Sequence, residues 1–79
     1  MMEQHEGYWI SGTAVPGPPY TTYRTPNGRV LRQRANVSVV ELTRFTLESF
    51  EVADNAVAEW FGLELARMVV DECFLPRSN

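Results

Sequence analysis

Seventy-nine residues, 44% apolar and 22% charged, make one domain near the lower size limit for a fold without staples, and exclude a largely disordered chain. The single cysteine, Cys73, excludes an intrachain disulfide and every cysteine-based zinc spacing, and one unpaired thiol goes with a reducing compartment. No stretch nears the roughly twenty apolar residues of a membrane span, and Glu3 and Glu6 stand where a signal peptide would be basic, so a cytoplasmic protein with no membrane partner is expected.

Taken in chain order, residues 1–7 read as a flexible leader containing His5, the only histidine. Residues 8–15, YWISGTAV, mix aromatic, β-branched and small side chains and predict a strand, which the PGPPY stretch then ends. TTYRT resumes as strand. The Pro26-Asn27-Gly28 sequence is the strongest turn signal in the chain, since proline presets φ and Asn-Gly accepts the positive φ of a tight hairpin. RVLRQRA is then the returning strand. After a weak break near Asn36, VSVVELTRFTL is the most strand-like run, rich in valine, threonine and phenylalanine. The sheet region is thus residues 8–47. Asp54 is the expected N-cap of a helix over residues 54–73, Pro76 stops it, and residues 75–79 form a frayed tail. Short β-β-β-β-α connections imply an α+β fold: an antiparallel sheet of three to four strands with one C-terminal helix packed on one face.

Two apolar series share that helix. Wound at roughly 100° per residue, Val57, Ala58, Phe61, Leu65, Met68 and Val69 fall within about 120°, the width of a core-facing stripe. They are expected to meet Val40 and Leu42, or Val39 and Phe45, with Phe50 closing the near end of that core. Ala56, Trp60, Leu63, Arg67, Val70 and Phe74 alternate by four and three, the rhythm of helix-on-helix packing. Burying Trp60, Leu63, Val70 and Phe74 is worth about 6–12 kcal/mol at about 1.5–3 each, comparable with the roughly 5–15 kcal/mol that stabilise a whole domain. This second stripe therefore needs a cover. Three are open: the N-terminal arm with Tyr8, Trp9 and Ile10 or the loop carrying Tyr20; a homodimer mate, with Arg67 reaching Glu59, Glu64 or Asp71 of the other chain; or a different protein. Gly62, four residues from both Ala58 and Ala66, predicts close approach of the helix to the sheet or another backbone, because a mid-helix glycine otherwise costs about 1 kcal/mol relative to alanine. Cys73 reads as a small helix-packing residue.

The net charge of −3 hides a division. Every basic residue is arginine, and between Tyr20 and Thr46 five arginines against Glu41 make +4, whereas from Leu47 onward seven acids against two arginines make −5. The halves attract each other, or present opposite signs to a partner. Arg32 and Arg34 share a strand face by parity, and Arg24 is expected on the adjacent strand of the hairpin, an arrangement by which a β-ribbon can contact nucleic acid. An acidic chain with an acidic helix repels phosphate, so nucleic acid is not the expected partner. With one histidine in the leader there is no framework for a Ser-His-Asp or Cys-His set, and no phosphate-binding glycine loop or HExxH occurs. No enzyme activity, metal or cofactor is expected.

With Glu41, Leu42, Arg44, Phe50, Ala56, Gly62, Leu63, Glu64, Leu65, Ala66, Arg67, Val70 and Asp71 aligned as strand, aromatic anchor and helix, the chain resembles short stand-alone bacterial domains of unknown function. In these a v-E-l-x-R strand precedes a G-L-E-L-A-R-x-W-V-D helix ending, and Val69 stands where such domains often carry tryptophan. The resemblance covers under half the chain and implies the sheet-plus-C-terminal-helix fold with no transferred activity. The expected function is a non-enzymatic protein-interaction module that self-associates through Trp60, Leu63, Arg67, Val70 and Phe74. The alternatives are a nucleic-acid-binding β-ribbon using Arg24, Arg32 and Arg34, or a phage-type inhibitor of a host complex.

Overall fold

Four antiparallel strands form one sheet in chain order: β1 (Met2–His5), β2 (Tyr8–Pro16), β3 (Arg24–Arg34) and β4 (Ser38–Thr46). Helix α1 (Asn55–Val69) crosses one face and ends in a π-helical turn, Val70–Phe74, giving the α+β arrangement that the sequence predicts. The structure is a computed structural model and describes residues 1–16, 23–34, 38–48 and 50–75. The stretch after Pro16 through Thr22, the break near Asn36 and the tail from Pro76 lie outside the described residues. The Cα framework is 16 Å deep along its thinnest axis, one sheet and one helix thick.

The N-terminal residues are a strand rather than a flexible leader. β1 pairs with β2 from Met2↔Ser11 to His5↔Tyr8, joined by Glu6 and Gly7 with φ of 52° and 86°. Two central residues of positive φ make the two-residue hairpin whose twist matches its flanking strands. The tightest turn in the described chain therefore sits at Glu6-Gly7. The Pro26-Asn27-Gly28 signal is overturned, since these residues run inside β3, opposite Ala14, Thr13 and Gly12 of β2.

Each of the three residues satisfies a strand requirement there. Pro26 is fully buried, and its carbonyl accepts the Leu47 amide at 3.0 Å. In an antiparallel ladder one residue's N–H and C=O face the same edge, so the amide that proline lacks would have donated to Leu47. The Leu47 carbonyl takes the Phe50 amide at 3.0 Å instead. Asn27 spends its side chain across the sheet, donating to Thr46 Oγ1 at 2.7 Å and accepting from Thr13 Oγ1 at 3.2 Å. Gly28 supplies room: a Cβ there would lie 2.6 Å from the Gly62 carbonyl oxygen.

Gly28 pairs directly with Gly12, and this patch without side chains is the seat of the helix. A Cβ on Gly12 would run into the Glu59 carbonyl and the Leu63 amide, and one on Gly62 into the Asn27 carbonyl. Helix backbone thus rests on sheet backbone, bearing out the close approach expected of Gly62. Ala58, Gly62, Leu63, Ala66 and Val70 are the buried helix positions, and with Ile10 and Val30 they form the core, flanked by Tyr8, Phe45, Val69, Phe74 and Leu75.

The helix is therefore turned relative to both expected stripes, and the buried face lies between them. Of the first stripe only Ala58 is buried, while Val57 and Met68 are exposed. Of the second, Leu63 and Val70 are core, and Phe74 stacks on Tyr8 with ring centroids 5.5 Å apart. The N-terminal strands supply this cover within the chain. Val39, Val40 and Leu42 are exposed rather than beneath the helix, because α1 lies over β2 and β3. Locally the helix starts as its sequence predicts: Asp54 is the N-cap and its carboxylate accepts the Ala56 amide at 2.7 Å. Cys73 is exposed rather than packed.

Candidate functional site

The same rotation that buries alanine and glycine turns the large side chains outward. Trp60 is 50% exposed and Met68 51%, with Val57 exposed and Phe61 and Leu65 half-buried beside them. Phe50, expected to close the core, is exposed and meets Phe61 edge-on, with centroids 4.8 Å apart. Phe61 in turn meets Trp60 at 5.0 Å with an interplanar angle of 74°. These T-shaped contacts hold three aromatic rings as one surface unit. An open depression of about 490 Å³ lies among Trp60, Phe61, Leu65 and Met68, its lining completed by Glu64, Arg67, Asp71 and Glu72.

Charge around this surface is one-sided. Between Asp54 and Leu75 there are five acids and one base, Arg67, and that base is committed within the chain. Its Nη2 reaches Glu3 Oε1 at 2.6 Å, its Nε lies 3.5 Å from Glu64 Oε1, and its Nη1 lies 3.3 Å from His5 Nδ1. Arg67 thus pairs with acids of its own chain. His5 Nδ1 faces Arg67, and its Nε2 lies 2.7 Å from Asp71 Oδ1. Both imidazole nitrogens are occupied, and the network fastens β1 to the helix. Glu3 and His5 reach it because they share the strand face of their register partners' core side, opposite Ile10 and Tyr8.

The expected placement of Arg24 on the strand adjacent to Arg32 and Arg34 is overturned. Arg24, Arg32 and Arg34 all lie on β3, so Arg24 is not on an adjacent strand. Eight residues separate Arg24 from Arg32, roughly 27 Å at strand rise. Arg24 donates to the Tyr23 carbonyl beside it. The arginines that do meet are Arg29 and Arg44, register partners that share Glu41: Arg44 Nη2 lies 3.0 Å and Arg29 Nη1 3.7 Å from its Oε1.

Of the five residues expected at a partner surface, the structure leaves Trp60 on the surface, buries Leu63 and Val70 in the chain's own core, packs Phe74 on Tyr8 and ties Arg67 to β1. Phe50, Val57 and Met68 are exposed, and Phe61 and Leu65 only half-buried, where the sequence predicts core. The signal that could have found them is the Ala58-Gly62-Ala66 stripe read together with Gly12 and Gly28: small residues on both layers mark the contact, so the larger ones face away. Among the described residues no three His, Cys, Asp or Glu side chains converge as a metal cage, and no helix is long and apolar enough to cross a membrane. Comparison of the chain with protein-family models, curated proteins and solved structures finds no match.

Proposed function

We propose that the protein is a non-enzymatic protein-interaction module whose docking surface is the outer face of α1, and that its partner is a basic amphipathic segment of another protein. The observation that carries this reading is the aromatic unit Phe50-Phe61-Trp60, continued by Val57 and Met68 and left on the surface by a helix whose opposite face is fully used. Contiguous exposed apolar area rimmed by polar groups is the signature of a docking site, and tryptophan is the residue most enriched among interface anchors.

Charge selects the partner. Two copies meeting through this face would bring Glu64, Asp71 and Glu72 against their equivalents, and like-charge juxtaposition works against association. A segment with an apolar stripe flanked by arginine or lysine meets both requirements. The exposed thiol of Cys73 supports a reducing, cytoplasmic setting, where such a side chain stays free.

The test uses two synthetic helices of identical leucine pattern, one flanked by arginine and one by glutamate, followed by tryptophan emission and calorimetry. The arginine helix binds and shifts the emission to the blue; the glutamate helix does not; and Trp60→Glu with Met68→Glu abolishes binding while far-UV circular dichroism stays unchanged. Equal binding of both helices, binding of neither, or binding that survives the double substitution sinks the reading.

A further inference from the structure

The two edges of the sheet are treated differently. β1 is four residues long and fastened to the helix by Arg67 and His5. β4 is nine residues long, its first five residues are exposed, and Val39, Val40 and Leu42 present apolar side chains to solvent. A long apolar edge strand is a template for pairing with another chain. We propose that β4 pairs with β4 of a second copy, antiparallel about a two-fold axis, joining two sheets into one.

The register supplies the occupant. Val30 pairs with Thr43 and Leu31 with Glu41, so Leu42 is an extra residue, a β-bulge. Register partners share a sheet face, which puts Val40, Thr43 and Phe45 on the helix side and Val39, Glu41, Arg44 and Thr46 on the open side. Counted with Leu42 and Thr43 as one position, β4 reads the same in both directions. Centred there, a second copy places Val40 against Phe45, Glu41 against Arg44 and Val39 against Thr46, each pair on one face. Without the bulge, Glu41 and Arg44 would point to opposite faces. A bulge ordinarily spoils an edge for pairing, but two bulges meeting on the axis match each other's extra residue.

Charge complementarity favours a second copy over an unrelated strand. The axis brings Glu41 of each chain opposite Arg44 of the other, giving two reciprocal ion pairs from one sequence. Arg44 already lies 3.0 Å from Glu41 in its own chain and is 58% exposed along its side chain, so it can bridge both carboxylates. This surface is separate from the outer helix face, and either can fail without the other.

The experiment is absolute mass in solution by light scattering across a concentration series. The wild-type chain gives a dimer of about 18 kDa, twice the 9.0 kDa chain. Glu41→Arg alone and Arg44→Glu alone each raise the dimer dissociation constant about tenfold or more, by setting like charges across the axis. An equimolar mixture of these two variants restores the dimer as a heterodimer, although the ion pair within each chain stays broken. Leu42→Lys, on the axis itself, is a second disrupting variant should either charge reversal fold poorly by circular dichroism, and Trp60→Glu leaves the dimer intact. A wild-type monomer at every concentration, a dimer indifferent to the β4 substitutions, a mixture that stays monomeric, or a dimer lost only with Trp60→Glu overturns the proposal.

Discussion

The face of α1 that meets the sheet is built on Ala58, Gly62 and Ala66, while the face turned to solvent carries Val57, Trp60, Phe61 and Met68. Ranked by hydrophobicity alone, the two would be exchanged. The sheet below decides otherwise, because Gly12 and Gly28 leave a patch without side chains on which the helix backbone can settle. Close approach brings many atoms within dispersion range at once, and it is available only to a helix face equally short of side chains. Leu63 and Val70, at the flank of that contact, supply the larger apolar area. Burial here is set by how near two backbones can come, and the bulky outer face is what remains for a partner.

The difference between the faces is broken most directly at the glycines. Gly12→Ala places a methyl group on helix backbone that no side-chain rotation can move, and the expected loss is about 3 kcal/mol, the upper end for overpacking, measured by urea unfolding. Gly62→Ala sharpens the point through its sign. At a free helix position alanine would stabilise by about 1 kcal/mol; against the Asn27 carbonyl it destabilises instead. A gain in stability from Gly62→Ala would mean that the seam is looser than described.

The next contrast sets inner against outer aliphatic residues. Leu63→Ala, at 3% exposure, costs about 2–5 kcal/mol through lost burial and the cavity left behind. Met68→Ala on the outer face stays within about 0.5 kcal/mol, as surface changes do. Comparable losses at the two sites in chemical denaturation would show that the outer face is also core. A much smaller effect than at Leu63 is expected at the network joining β1 to the helix. Arg67→Ala removes partly exposed ion pairs worth about 0.2–1 kcal/mol, and its signature is local: amide exchange in β1 accelerates while the Leu63 and Val70 amides keep their protection. Uniform acceleration across the chain would mean that Arg67 supports the whole fold.

What the sequence alone determined is local in origin. The helix start follows from Asp54, whose short carboxylate captures a free amide, and the helix length follows from an unbroken run of helix-compatible residues. The antiparallel sheet and single C-terminal helix follow from strand-forming segments joined by short connections. Tertiary structure decided three things. Helical periodicity fixes the angles between side chains but not the rotation of the whole helix, and here the glycine seat fixed that rotation. A turn signal is a local preference, and at Pro26-Asn27-Gly28 it yields to long-range demands: Asn27 bonds two other strands, and Gly28 makes room for Gly62. Residues 2–5 carry weak strand character of their own and became β1 because β2 offered an edge and Arg67 an anchor for Glu3 and His5. In each case the deciding group lies far away in sequence, at a distance in space that only the folded chain sets.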